Sequence, residues 1–360
     1  MKHDLMKALC HRAPLIASLL GVAVGHAAEL PAPAGIPIHI GYPQANYWPL
    51  FLARELKLFE QVGLAPQFHP YTTGAPLIAG MKSGEIDVAW TGLATIFMLG
   101  NGVPLQFVLV PIDHSSQVRL VVPSDSRVKS FRDLTPSTVI GAPAGTCGEV
   151  SAVLAARKAG VAVADLKLSN LAPNLLVGAL KNKQIDGAFI WGPWDLKLRE
   201  AGFKAVSSDR DYIPGGSVCG VTVAIRPALL VREPSVGCRM VKVHALALEA
   251  ARKDPELAIR VLQVNSGLSY ALAKESFETL VIPSIASQLD PKAPWSLTAS
   301  RGGLADKLLL AADALYARKA FAQPLDAAAL REAIDPRYIK QYIESGCRSM
   351  PPRRPTWPVP

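Results

Sequence analysis

The chain has 360 residues, 50% of them hydrophobic and 19% charged, with a formal net charge of +9. That composition excludes a disordered chain and leaves enough apolar side chain for sizeable cores in about two or three domains. The basic excess is scattered, which gives little support to a nucleic-acid partner and is compatible with a small anionic ligand or an anionic membrane surface.

Lys2, Lys7 and Arg12 precede an apolar run over residues 13–24, and Gly25-His26-Ala27 follows with small residues where a signal peptidase reads. Residues 1–27 therefore read as an export signal cleaved before Ala28. The run would span about 18 Å as a helix, short of the roughly 30 Å hydrocarbon core, so it reads as a signal and not as an anchor. No second long apolar run follows, and the expectation is a soluble exported protein. Cys147, Cys219, Cys238 and Cys347 remain beyond the signal. An even count in an exported chain allows two disulfides, in any of three connectivities. No Cys-x-x-Cys and no His/Cys cluster predicts a metal site.

Residues 36–42 alternate and predict a strand. Trp48, Leu52, Leu56 and Phe59 share one side of a helix over 47–60. A short strand at 67–71, a helix at 75–84, a buried strand at 86–90, a helix through Gly100 and strands at 105–112 and 118–122 follow. Further strands are read at 139–142, 167–171, 187–190 and 203–206, with helices at 149–159, 174–182 and 194–201 between them. This alternation predicts an α/β fold with a largely parallel sheet. A strand at 218–225 is apolar enough to return to the first sheet, and the rest is helical: 234–253, a helix begun by Asp254-Pro255, then 269–278, 301–319, 326–333 and 336–345. Residues 348–360 hold five prolines and read as a disordered tail.

A repeat appears at an offset of 99: LIAGMKSGEIDVAW (77–90) matches LVGALKNKQIDGAF (176–189), with Leu77/Leu176, Ile86/Ile185 and Asp87/Asp186 among the identities. It predicts two α/β lobes built alike. The boundaries read as 28–117 plus 215–347 for lobe one, with its C-terminal helices, and 118–214 for lobe two. A chain that leaves one lobe, builds a second and returns makes a cleft, and ligands of such sheets sit beyond the carboxyl ends of strands.

Five segments qualify there: 43–48, 72–74, 91–93, 144–148 and 191–194. Three pair Thr with Gly at a strand-to-helix turn, where free backbone N–H groups and the helix dipole favour negative charge. The candidate ligand-binding residues are Gln44, Tyr47, Trp48, Thr73, Gly74, Thr91, His114, Gly145, Thr146, Cys147 and Trp191. For any single loop, helix capping is the plainer explanation, and Trp48 also fits the apolar stripe of its helix. Arg119, Lys181 and Lys183 form either a positive edge to lobe two or solvated surface. Asp87 and Asp186 read as structural hydrogen bonders. No G-x-S-x-G elbow, H-E-x-x-H helix or phosphate-loop G-K-[ST] is present, so no catalytic residue and no cofactor is predicted.

Residues 41–64, with S-G-E-I-D-V-A (83–89), G-V-P-L (102–105) and I-D-G-A-F-I-W-G-P (185–193), resemble the substrate-binding proteins of ABC importers for nitrate, sulfonates and taurine, whose relatives include thiamine-pyrimidine precursor binders. The resemblance runs over about residues 36–345. It implies a two-lobed type II periplasmic binding protein fold, a periplasmic monomer, a small organic anion as ligand, and delivery to an inner-membrane permease driven by a separate ATPase. Within the family, 186–193 is most similar to the taurine branch, which implies that the turn at Thr73-Gly74 and the loop at Gly145-Thr146-Cys147 hold a sulfonate. Two departures stand out. Cys147 and Gly148 replace the usual successive hydroxyls, and Val221 stands where the taurine branch places an Asp for the ammonium, unless Asp113, Glu149 or Asp195 supplies that charge. The same fold could also bind nitrate, an aromatic carboxylate or a pyrimidine precursor, serve as a pyrimidine-synthesising enzyme, or present a ligand to a membrane receptor.

Overall fold

The computed structural model describes residues 35–74 and 76–348. The export signal and nearly all of the Pro-rich tail lie outside the described residues. The strands are β1 (Ile36–Pro43), β2 (Leu64–Tyr71), β3 (Val88–Thr91), β4 (Gln106–Asp113), β5 (Val118–Val122), β6 (Val139–Ala142), β7 (Lys167–Asn170), β8 (Gly187–Trp191), β9 (Lys204–Ser208) and β10 (Gly220–Ile225). They form two five-stranded sheets, ordered β2-β1-β3-β10-β4 and β7-β6-β8-β5-β9. In the first sheet β10 runs antiparallel to both β3 and β4. In the second β5 runs antiparallel to both β8 and β9. The other pairings are parallel. Each lobe is thus a mostly parallel sheet with one reversed strand. Strands β3, β8 and β10 are buried along their whole length, as sheet centres covered on both faces must be.

The helices of the sheet-forming part are α1 (Trp48–Glu55), α2 (Leu58–Gln61), α3 (Leu77–Ser83), α4 (Ala94–Gly100), α5 (Cys147–Lys158), α6 (Leu176–Lys181), α7 (Trp194–Glu200), α8 (Asp209–Tyr212) and α9 (Pro227–Arg232). The C-terminal part adds α10 (Val236–Lys253), α11 (Pro255–Ser266), α12 (Tyr270–Thr279), α13 (Leu304–Ala317), α14 (Ala327–Glu332) and α15 (Arg337–Ser345). The single helix read over 47–60 is two, because Lys57 takes the left-handed conformation at φ 51° and ends the first turn sequence. The strand read at 67–71 begins earlier, at Leu64, since its whole length pairs in register with β1 from Ile36↔Leu64 to Pro43↔Tyr71.

The repeat has a physical content that its spacing did not disclose. Asp87 and Asp186 each accept a backbone N–H from the neighbouring strand, His39 at 3.1 Å and Val139 at 2.8 Å. Their own N–H groups donate back to the carbonyls of the same two residues. Each aspartate therefore clamps the entry of its strand to the first parallel strand of its sheet. The partners match as well: a Cβ on Gly41 would lie 2.1 Å from Leu77, and one on Gly141 would lie 2.7 Å from Ile185 and 2.9 Å from Leu176. Leucine and isoleucine of each repeat thus fill the space a missing side chain leaves.

Two segments cross between the sheets, from β4 to β5 and from α8 to β10. They are tied together by the His114 N–H donating to the Cys219 carbonyl at 3.0 Å. Cys238 and Cys347 form a disulfide that closes a separation of 109 residues and pins the end of α15 region to α10, while Cys147 and Cys219 are buried thiols. Among the described residues no helix is long and apolar enough to cross a membrane, and no group of three or more His, Cys, Asp or Glu could hold a metal.

Candidate functional site

The carboxyl ends of β1, β3 and β8 and the starts of α1, α4 and α5 meet in one cavity. Its lining is Pro43, Tyr47, Gly74, Thr91, Gly92, Leu93, Ala94, His114, Thr146, Cys147 and Trp191, and it encloses about 20 Å³. That is room for about one water, so the two halves are close together in this arrangement. A Cβ on Gly92 would lie 3.2 Å from the Cys147 Sγ, and one on Gly145, at φ +68°, would lie 3.3 Å from the Phe97 ring. These are places where one half presses on the other, and glycine leaves the room. Gly148 has a comparable role inside its own half: a Cβ there would meet the Phe189 carbonyl oxygen at 2.5 Å, so only glycine lets the start of α5 sit on β8.

Of the eleven candidate residues, the fold brings Tyr47, Gly74, Thr91, His114, Thr146, Cys147 and Trp191 to this cavity. Four do not line it. Gln44 is exposed and faces a neighbouring groove, although its carbonyl accepts from the Trp191 indole at 3.3 Å. Trp48 packs on Phe277 with ring centroids 5.0 Å apart, as the apolar stripe of its helix allowed. Thr73 is half-buried, and it is its neighbour Gly74 that lies against Thr91 and Ala94 in the lining. Gly145 spends its N–H on Glu149 at 2.8 Å. Thr146 lines the cavity without capping its helix, because its hydroxyl donates to the Pro143 carbonyl at 2.6 Å.

Behind the lining lies a buried polar network that local sequence gave no sign of. The Asn46 side chain donates to Gln117 Oε1 at 2.8 Å, and Gln117 Nε2 donates to the Ser276 carbonyl at 2.8 Å. The Asn46 N–H meets the Gly192 carbonyl, and the Gly192 N–H meets the Gln117 carbonyl, both at 3.1 Å. The partners are 71 and 159 residues apart along the chain. Only the fold could bring them together.

The electrostatics are those of an uncharged pocket with a positive bias. Among the described residues no Lys, Arg, Asp or Glu lines it. Burial holds the Tyr47 phenol far above its usual range, while Thr91 and the Gly92 backbone donate toward its oxygen. Its own O–H is left to donate. Burial also pushes the His114 imidazole down to about 4, against the pull of Asp113. Val221 and the three alternative ammonium partners, Asp113, Glu149 and Asp195, all lie elsewhere. Val221 is fully buried in β10, opposite Ile112. Asp113 accepts the Ser115 N–H, Glu149 faces Arg318 at 3.6 Å, and Asp195 faces Arg119 at 3.1 Å. What remains is a small cavity at the N-terminal ends of three helices, with the Tyr47 hydroxyl as a donor, which suits an oxyanion.

The comparisons agree with this architecture. The family described as the periplasmic substrate-binding proteins of phosphonate ABC transporters matches residues 52–192. A protein of Brucella abortus (strain 2308), named only as a binding protein, is 26% identical over 231 residues, covering 63% of this chain and 70% of that one. The periplasmic aliphatic sulphonate binding protein SsuA of Escherichia coli superposes with a TM-score of 0.68 at 18% identity, covering 83% of this chain and 92% of its own. The alkanesulfonate-binding protein SsuA of Xanthomonas axonopodis pv. citri, bound to MOPS, gives a TM-score of 0.67 at 20% identity, covering 85% and 100%. Two like lobes joined by two crossings, with a cleft at their strand ends, give the chain the periplasmic binding protein fold, and over residues 52–192 it is similar to the substrate-binding proteins of phosphonate ABC transporters.

Proposed function

We propose that the chain captures a small organic oxyanion without an ammonium group, of the sulfonate class, in the cleft between its lobes, and hands it to an inner-membrane permease. The observation that carries this reading is the cavity lining: the Tyr47 hydroxyl and helix N-termini, with no charged side chain of either sign among the described residues. An ammonium such as taurine's would enter without a carboxylate to meet it. A buried unpaired charge costs on the order of several kcal/mol, which turns the site against zwitterions. The lobes must part to admit any ligand, and the ligand then shifts the population toward the closed form by its better fit there.

The test is a thermal-shift and calorimetric panel on residues 28–360: methanesulfonate, ethanesulfonate, taurine, nitrate, methylphosphonate and an aromatic sulfonate. Short alkanesulfonates are expected to raise the midpoint, and taurine to do so far less. At about 100-fold excess over the dissociation constant a bound ligand adds about 2.7 kcal/mol, a readable shift. A taurine response equal to that of ethanesulfonate would sink the ammonium-free reading. A response to nitrate alone would make the site one for a planar inorganic anion.

A further inference from the structure

We propose that His114 takes up a proton from solvent when the cleft closes on its anion, and so supplies the one positive charge the site otherwise lacks. The proposal rests on the anion reading above. His114 sits on the crossing between the sheets and is 2% exposed. Its backbone is tied to Cys219, and its ring stacks on Tyr47 with centroids 5.9 Å apart and planes 13° from parallel. The ring is thus fixed in the wall of the cavity. The Asn46 backbone accepts a hydrogen bond from the imidazole. Nε2 is buried and has no partner among the described residues. Buried polar atoms are ordinarily paired, so an orphan ring nitrogen in a cavity wall points to a ligand.

The nature of that ligand decides the proton count. A neutral ring that gives its proton to the Asn46 carbonyl presents a bare lone pair at Nε2. A sulfonate stays fully ionised at any pH the protein tolerates and has no proton to offer that lone pair. The two repel until Nε2 is protonated, and then they form a charge-assisted hydrogen bond. The surroundings allow this. At the start of α1 the Tyr47 ring stacks on the imidazole, the Cys147 thiol of α5 lines the same cavity, and the His114 backbone is tied to Cys219 in the segment before β10. Burial pushes Tyr47 and Cys219 upward, so neither turns negative at neutral pH. The charged neighbour is Asp113 on β4, which favours the imidazolium; beyond it lie Lys307 of α13 and Asp209 of α8, both of which feel Asp113. In the empty cleft burial keeps His114 neutral, down to about 4. An anion beside it raises that value, and between the two values binding consumes a proton.

Calorimetry of the intact chain with methanesulfonate, in cationic buffers of differing protonation enthalpy from pH 5 to pH 8, tests this. The expected result is an affinity that falls as pH rises, by up to about tenfold per pH unit, with uptake approaching one proton per ligand in the same window. His114→Gln is expected to bind more weakly and without pH dependence. Binding by the parent with no proton uptake at any pH would overturn the proposal while leaving the anion reading intact, and it needs no variant to fold. Uptake retained in a folded His114→Gln would overturn it too. No binding by methanesulfonate or any other anion of the panel would sink the anion reading, and this proposal with it.

Discussion

The buried ionisable side chains near the crossings set how stability responds to pH. Asp209 accepts from the Ser151 hydroxyl at 2.7 Å and the Tyr212 hydroxyl at 2.8 Å. Burial nevertheless pushes its carboxyl up to about 7 from an ordinary 3.8. The folded state then holds a proton that the unfolded chain has lost, so Asp209 costs stability progressively as pH rises between those two values. Asp209→Asn copies the protonated form. The variant is expected to gain on the parent as pH goes from about 4 to about 7, and chemical denaturation at four pH values would show it. A difference between the two that does not change with pH would mean that Asp209 ionises freely in the fold. His244 works in the opposite sense: burial holds it down to about 3, so it costs stability as pH falls below its ordinary 6.5. Single-site differences are therefore the cleaner readout, since the parent curve adds opposing slopes.

At the level of elements, the two repeats explain each other. In each, an aspartate clamps two parallel strands, and a leucine and an isoleucine close over a glycine on the first strand. The lobes share this device although their edge strands differ. Gly141→Val is expected to destabilise the second sheet by roughly 1–3 kcal/mol, the usual cost of overpacking a filled core. A paired Leu176→Ala should recover part of the loss by vacating the space the new side chain enters. A denaturation midpoint unchanged in Gly141→Val would mean that the contact is slack. The repeat was legible as a pattern of identical residues, but the glycines that complete it, Gly41 and Gly141, lie 36 and 35 positions upstream of Leu77 and Leu176, too far for the alignment to include them.

For the molecule as a whole, ion pairs join the second sheet's helices to the C-terminal ones. Arg199 on α7 meets Glu275 on α12 at 2.6 Å, and Arg157 on α5 meets Asp313 on α13 at 2.6 Å. Both pairs are partly exposed, and such pairs contribute about 0–1 kcal/mol each and weaken in salt. Helix α13 also packs on both α4 and α5, so it touches either side of the cleft. Neutralising both acids, with Glu275→Gln and Asp313→Asn, is expected to widen the ligand-free molecule in small-angle scattering and to lower anion affinity by about tenfold or less. An unchanged radius of gyration would show that packing alone holds the halves together.

How much of this was legible in the sequence follows from range. Strand and helix alternation, the repeat and the Thr/Gly turns are written in stretches of a few residues, where periodicity and backbone chemistry act directly. Those stretches carried Thr91, Thr146, Cys147 and Trp191 to the cavity wall, because a turn after a central strand has nowhere else to end. Thr73 and Gln44 do not line the cavity, since they stand one residue to the side of Gly74 and Pro43, which do. The sequence by itself determined an α/β chain with two like halves and donor-rich turns. The tertiary structure alone decided that β10 threads between β3 and β4, that Asn46, Gln117 and Ser276 share one buried network, and that no charged side chain among the described residues reaches the cavity. Those facts depend on which distant residues meet, and such meetings are set by how the two sheets close on each other, which no local pattern records.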